Sequence, residues 1–289
     1  MRLLTTASVL GALLAGAGAA PNRPASASPT PRPAADAPEA VSAALRDVPN
    51  PDLEKACGLD ISIILDESGS VKDYKKDVQN AFRAFTSALK NTGSRLAVSE
   101  FSTVANLPLT GAARDTYTPV TDQTIASTFD PYINNQYNPN GSTNWEDGLR
   151  ISRYMLPKPS AQPHLVVFIT DGDPNKVIRR DRVTQDEYEN QVPLASSDMA
   201  DASYNDATQK AVPNADGIKA MDSHILAIAV GAGLDSNDSL NRLKAVSGPD
   251  VYDGTGTFDI STTDVYRDPT SASSRTPSAK QPSSCALRR

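Results

Sequence analysis

Residues 61–70, ISIILDESGS, decide how this chain reads. Residues 61–65 form an apolar run broken only by Ser62, which suits a strand covered on both faces, and the run stops at Asp66. Directly after it, Val71, Tyr74, Val78, Phe82, Phe85 and Leu89 recur at helical spacing, and Gly93 stands where a C-cap glycine is expected. A doubly buried strand running into an amphipathic helix opens a βα unit, and the pattern continues outward from it. Residues 95–101 are the next expected strand and 105–109 a weaker third. Trp145, Leu149, Ser152 and Leu156 mark a helix face that Pro157 stops, and 165–169 is a buried strand ending at Thr170-Asp171. After a long polar insertion come a helix to about Met221, a strand over 225–230 and a short helix over Leu240, Leu243 and Val246 that ends at Gly248. Val251 and Tyr252 are expected as a last edge strand. The expected fold class is α/β, a doubly wound, mostly parallel sheet flanked by helices on both faces, Rossmann-like in plan.

Such sheets bind ligands at the carboxyl ends of their strands, where the winding direction reverses. Asp66-Glu67-Ser68-Gly69-Ser70 and Asp171 both fall there. Asp66 and Asp171 offer carboxylates, Ser68 and Ser70 offer hydroxyls, and Gly69 lets the turn bring the two serines together. Hard divalent cations want several oxygen ligands. Neither thiolate nor imidazole stands in this set, which argues against zinc or copper. Each residue also has a plain structural reading. Ser70 with Asp73, and Thr143 with Glu146, have capping-box spacing, and Asp171 in Thr-Asp-Gly-Asp-Pro suits a turn. Taken separately these readings suffice, but they leave unexplained why the oxygens gather on one edge of the sheet.

DESGS at 66–70 resembles the D-x-S-x-S signature of the metal-ion-dependent adhesion site of von Willebrand factor A and integrin inserted domains. Gly141-Ser142-Thr143-Asn144 looks like the second loop of that site and Thr170-Asp171-Gly172 like the third. The resemblance covers about residues 57–266. It implies a metal set of Asp66, Ser68, Ser70, Thr143 and Asp171, holding Mg²⁺ with Mn²⁺ or Ca²⁺ as alternatives. It also implies a site one ligand short, filled by an Asp or Glu carboxylate of a protein partner, and a binding or adhesion role without chemistry of its own. A structural part in a surface assembly, with the metal only stabilising the domain, is the rival reading.

The rest of the sequence narrows the function further. Net charge is −6 over 289 residues, so there is no basic field for nucleic acid or anionic lipid. A hydrolase is disfavoured. The two histidines, His164 and His224, are expected at strand starts, on the edge away from the carboxylates, and no Gly-x-Ser-x-Gly elbow occurs. Arg2, a short apolar run and Ala17-Gly18-Ala19 read as a signal peptide over 1–19, and no membrane span is expected in the mature chain. Residues 20–56 read as a Pro/Ala/Ser-rich linker, 57–266 as the domain and 267–289 as a disordered polar tail. The expected location is secreted or extracellular, at the cell surface in one variant of the reading. Export permits a disulfide between Cys57 and Cys285, which bracket the domain. Two stretches, the Asn- and Tyr-rich 130–140 and the polar 173–205 with Arg179, Arg180 and Arg182, are expected to flank the metal and to select the partner or, equally, to be solvated loops.

Overall fold

Strand β1 (Asp60–Asp66) is buried along its whole length, as its apolar run requires, and it lies at the centre of the sheet. The computed structural model describes residues 48–54, 58–155, 162, 164–231 and 233–267. β1 pairs in parallel with β2 (Arg95–Phe101) on one side and with β5 (His164–Thr170) on the other. Short antiparallel strands β3 (Ala105–Asn106) and β4 (Thr118–Pro119) pair with the two ends of β2. Beyond β5 the sheet continues in parallel through β8 (Ser223–Ala229), β10 (Val265–Arg267) and β9 (Val251–Tyr252). The chain builds to one side of β1 with β2, then returns to the other with β5, so the winding reverses between β1 and β5.

Alternation along the strands fixes the two faces. Ile61, Ile63 and Leu65 point to one layer with α1 (Lys75–Leu89), whose Val78, Phe82, Phe85 and Leu89 are buried against them. A run of helical turns over 122–136 completes that layer, and Phe82 meets Phe129 and Tyr132 edge-on. Ile64 and the alternate residues of the other strands face α2 (Trp145–Met155), α4 (Tyr204–Lys219) and α5 (Asn237–Val246). Helices therefore cover both faces. No helix among the described residues is long and apolar enough to cross a membrane.

Four details differ from expectation. The first positive φ after α1 belongs to Asn91 (60°), two residues past the helix end, so Gly93 is not the first left-handed residue. Val251-Tyr252 is at the sheet edge as expected, but β10, with only three residues and no periodicity to announce it, inserts between it and β8. Residues 48–54, expected within the linker, belong to the fold. Asn50 pairs with both the N–H and the carbonyl of Ile225 (2.8 Å each) and with Asp264 (2.6 Å), and Leu53 is buried.

The polar insertion after β5 is the fourth. It holds an antiparallel pair, β6 (Lys176–Ile178) with β7 (Met199–Asp201), and a short helix α3 (Gln185–Asn190). Ile178, Val183, Tyr188, Leu194 and Met199 give it a small core of its own. Cys57, Cys285, Leu156, Pro157, the signal peptide, most of the linker and all but the first residue of the polar tail lie outside the described residues.

Candidate metal centre

The register that pairs Leu65 with Ile169 sets Asp66 and Thr170 side by side at the carboxyl edge, at the point where the winding reverses. Thr170 Oγ1 receives the Trp145 indole N–H (3.3 Å) and donates to Asp66 Oδ2 (2.7 Å). The Ser68 backbone N–H donates to Asp66 Oδ1 (2.8 Å), which curls the chain after β1 back over its end. A 3₁₀ turn over Gly69–Tyr74 then leads into α1. Ser70 Oγ donates to Asp171 Oδ1 (2.8 Å), and this makes Ser68 Oγ the donor to Ser70 Oγ at 3.0 Å. Asp66, Ser68, Ser70 and Asp171 thus converge across 105 positions of sequence into one set of oxygens. Asp66, Ser68 and Asp171 are buried, whereas Ser70 is exposed and opens the set to solvent.

The second loop closes over the first. The Gly69 N–H donates to the Gly141 carbonyl (3.0 Å). Gly141 has φ 93°, and a Cβ there would stand 2.8 Å from Thr103 Oγ1, so both backbone angle and space call for glycine. Thr143 is buried and is held by its main chain. Its N–H donates to Asn175 Oδ1 (3.0 Å), and its carbonyl accepts from the Asn175 N–H (2.9 Å). The structure therefore links Ser68, Ser70 and Asp171 through their side-chain oxygens, ties Asp66 to them through the Ser68 N–H, and binds Thr143 to the third loop through its own backbone.

The capping readings do not describe Ser70 and Thr143. Ser70 lies inside the 3₁₀ turn and bonds Asp171 rather than capping a helix. The residue that caps α2 is Asn144, whose Oδ1 accepts from the Asp147 N–H (3.2 Å), and Glu146 instead accepts from the Ile178 N–H (2.8 Å). The tyrosines of 130–140, expected in a contact surface or a solvated loop, are fully buried. Tyr137 donates to the Asp66 carbonyl (2.6 Å) and Tyr132 to Glu100 Oε2 (3.0 Å). Thr170, Tyr137 and Asn175 are supports that the sequence reading missed. Thr170 was readable as a hydroxyl beside Asp171, whereas nothing local marks the other two.

Electrostatically the edge is acidic and desolvated. Burial first, and then the charge of Asp171, lift the Asp66 carboxyl to about 7 against the bonds from Ser68 and Thr170. Burial raises Asp171 as well. Among the described residues neither has a Lys or Arg partner. Behind them, burial and the neighbouring Glu67 lift Glu100 to about 8. No three His, Cys, Asp or Glu side chains come together as a metal-holding group among the described residues, so a cation here would depend on hydroxyls as well as carboxylates. Two carboxylates, several hydroxyls and no soft ligand suit Mg²⁺, Mn²⁺ or Ca²⁺. Both histidines lie at the opposite edge, at the start of β5 and β8.

A doubly wound α/β domain with acidic and hydroxyl side chains gathered at its switch point is the class that this fold and edge define. By comparison with known families the chain matches the von Willebrand factor type A domain over residues 60–265, and it belongs to that family. No curated protein matches it by sequence. Among solved structures it is similar to the PilB minor pilin of Streptococcus sanguinis (14% identity, TM-score 0.51), covering 73% of this chain and 57% of that one. It is similar to the vWF domain of the type V pili tip protein Mfa5 from Porphyromonas gingivalis (14%, TM-score 0.51), with 75% and 91% covered. The open conformation of the pilus adhesin SpaC from Lactobacillus rhamnosus GG gives 13% and a TM-score of 0.50, with 76% and 29% covered. This chain thus spans little more than half the pilin's length and less than a third of the adhesin's. At these identities the likeness concerns the fold.

Proposed function

We propose that this protein is an exported binding module of adhesion type, not an enzyme. It holds one divalent cation, Mg²⁺ by preference with Mn²⁺ or Ca²⁺ as alternatives, through Asp66, Ser68, Ser70, Thr143 and Asp171. A protein partner completes the coordination with an Asp or Glu carboxylate. The observation that carries this reading is the pair of buried carboxylates bridged to hydroxyls at the switch point, without a Lys or Arg partner among the described residues. The cation would supply the missing positive charge and an electrophilic position for an incoming oxygen. Ser70, on the open side, faces the solvent from which a partner would approach.

Titration of Mg²⁺, Mn²⁺ and Ca²⁺ into chelator-stripped protein, beside Asp171→Ala, tests the reading. One saturable site lost in the variant is expected; equal binding in both proteins would overturn the ligand set. The likeness to pilus components supports a second reading, a structural part of a surface assembly in which the cation only stabilises the domain. Loss of partner binding in EDTA while circular dichroism stays native favours the first reading. Loss of the fold itself favours the second. A signal peptide over 1–19 and a Cys57–Cys285 bridge belong to the same proposal. Intact mass under non-reducing conditions with two alkylatable thiols would remove the bridge.

A further inference from the structure

The third loop carries another carboxylate, Asp173, two residues after Asp171 and therefore within about 7 Å of it along the backbone. It takes no part in the oxygen set. Arg242 of α5 grips it as a fork, Nε to Oδ1 and Nη2 to Oδ2, both at 2.8 Å, and Ser239 Oγ donates to Oδ2 at 2.7 Å. Asp173 and Arg242 side chains are only 10% and 13% exposed, so solvent screens the pair weakly. The donors are held in turn. Arg242 Nη1 bonds Asn205 Oδ1 (3.1 Å) and the guanidinium lies over the Tyr204 ring, while the Ser239 N–H donates to the capping Ser236 Oγ (3.0 Å). At the same corner, the backbone of Asp171 packs against Gly233 so closely that a side chain at 233 would collide with its carbonyl. The loop that bears Asp171 is therefore fastened to α5 through Asp173.

Charge gives this fastening a consequence, which rests on the cation reading above. A divalent cation on Asp66 and Asp171 makes a neutral group that an incoming carboxylate can approach. A third unneutralised carboxylate beside it would leave a net negative site, tighter for the cation and repellent to a carboxylate. We propose that Arg242 neutralises Asp173 and so keeps a further carboxylate charge away from the Asp66–Asp171 pair, leaving the cation site open to a partner's acid rather than closed around its ion. Asp173 and Arg242 act here as positioning residues.

The test is Mn²⁺ titration by calorimetry into wild type, Arg242→Met, Arg242→Gln and the double variant Asp173→Asn/Arg242→Met, each checked for native circular dichroism. Arg242→Gln removes the charge while keeping a hydrogen-bond donor, and it serves if the methionine variant does not fold. Either single variant is expected to bind Mn²⁺ roughly tenfold more tightly, and the double variant to return to within about twofold of wild type. Unchanged or weaker binding in the single variants overturns the proposal, as does a gain that persists in the double variant. A loop that is merely loosened would weaken binding in all of them. If wild type binds no Mn²⁺, the cation reading falls. The single variants then still decide this one, since a site gained on removing Arg242 supports it and none overturns it.

Discussion

Burial raises several carboxyls in the folded protein, most of all Asp66 to about 7, Glu146 to about 7 and Glu100 to about 8, above the value of about 4 that each takes in an unfolded chain. Between pH 4 and 8 the folded state therefore binds more protons than the unfolded one, and stability falls as pH rises through that window. Metal-free protein should melt several degrees higher at pH 5 than at pH 8; a flat or rising melting temperature would contradict the burial of these groups. A bound cation favours ionised Asp66, so saturating Mg²⁺ should remove that residue's share of the slope. Tyr137 tests the support beneath the site. Tyr137→Phe leaves the Asp66 carbonyl without its phenolic donor and should cost about 1–2 kcal/mol in urea unfolding, with the far-ultraviolet spectrum unchanged. That Asp66, Ser68, Ser70 and Asp171 lie together at the carboxyl edge was legible, because they end strands or follow them directly. Tyr137 was not, because its partner lies 71 positions away and an Asn/Tyr-rich stretch reads equally well as surface.

The main strands and helices follow from periodicity, and β1, α1 and α2 lie where their apolar spacing places them. The insertion after β5 behaves differently. Its polar composition hides a small core and a buried attachment. Arg150 of α2, only 3% exposed, bonds Asp147 (2.7 Å) and also the carbonyls of Tyr188 (2.8 Å) and Gln191 (3.0 Å) in the insertion. Tyr188 accepts from Asn214 of α4 (2.7 Å). Deleting 179–198 strips a buried guanidinium of two acceptors and should destabilise the whole domain by roughly 3–5 kcal/mol in chemical denaturation. Loss of partner binding in that deletion would then say nothing about selection. Alanine at the exposed Arg182 should change stability by no more than about 0.5 kcal/mol and isolates the surface contribution.

For the molecule as a whole, a cation that binds only the folded state stabilises it by mass action. At a hundredfold excess over Kd the gain is about 2.7 kcal/mol. For a domain of this size that corresponds to a rise of about 5–10 °C, reversed by EDTA and absent in Asp171→Ala. A scan that shows no difference between metal-replete and stripped protein would mean that the carboxylate pair is tolerated without a cation. The N-terminal segment takes part in the same unit, since Asn50 bonds β8 and Asp264 at the edge opposite Asp66 and Asp171.

The sequence by itself determined the α/β class, the strands that end at Asp66 and Thr170, and the residue types that crowd the carboxyl edge. Those features are encoded in spacings of two to four residues, in breakers and in motifs only a few positions long. Tertiary structure decided the rest. It chose Asn144 over Thr143 as the cap of α2, turned Tyr132 and Tyr137 inward, slid β10 between β8 and β9, and gave Asp173 to Arg242. In each case the outcome depends on which distant backbone or charge meets the residue once the sheet has closed, and local pattern carries no record of that meeting.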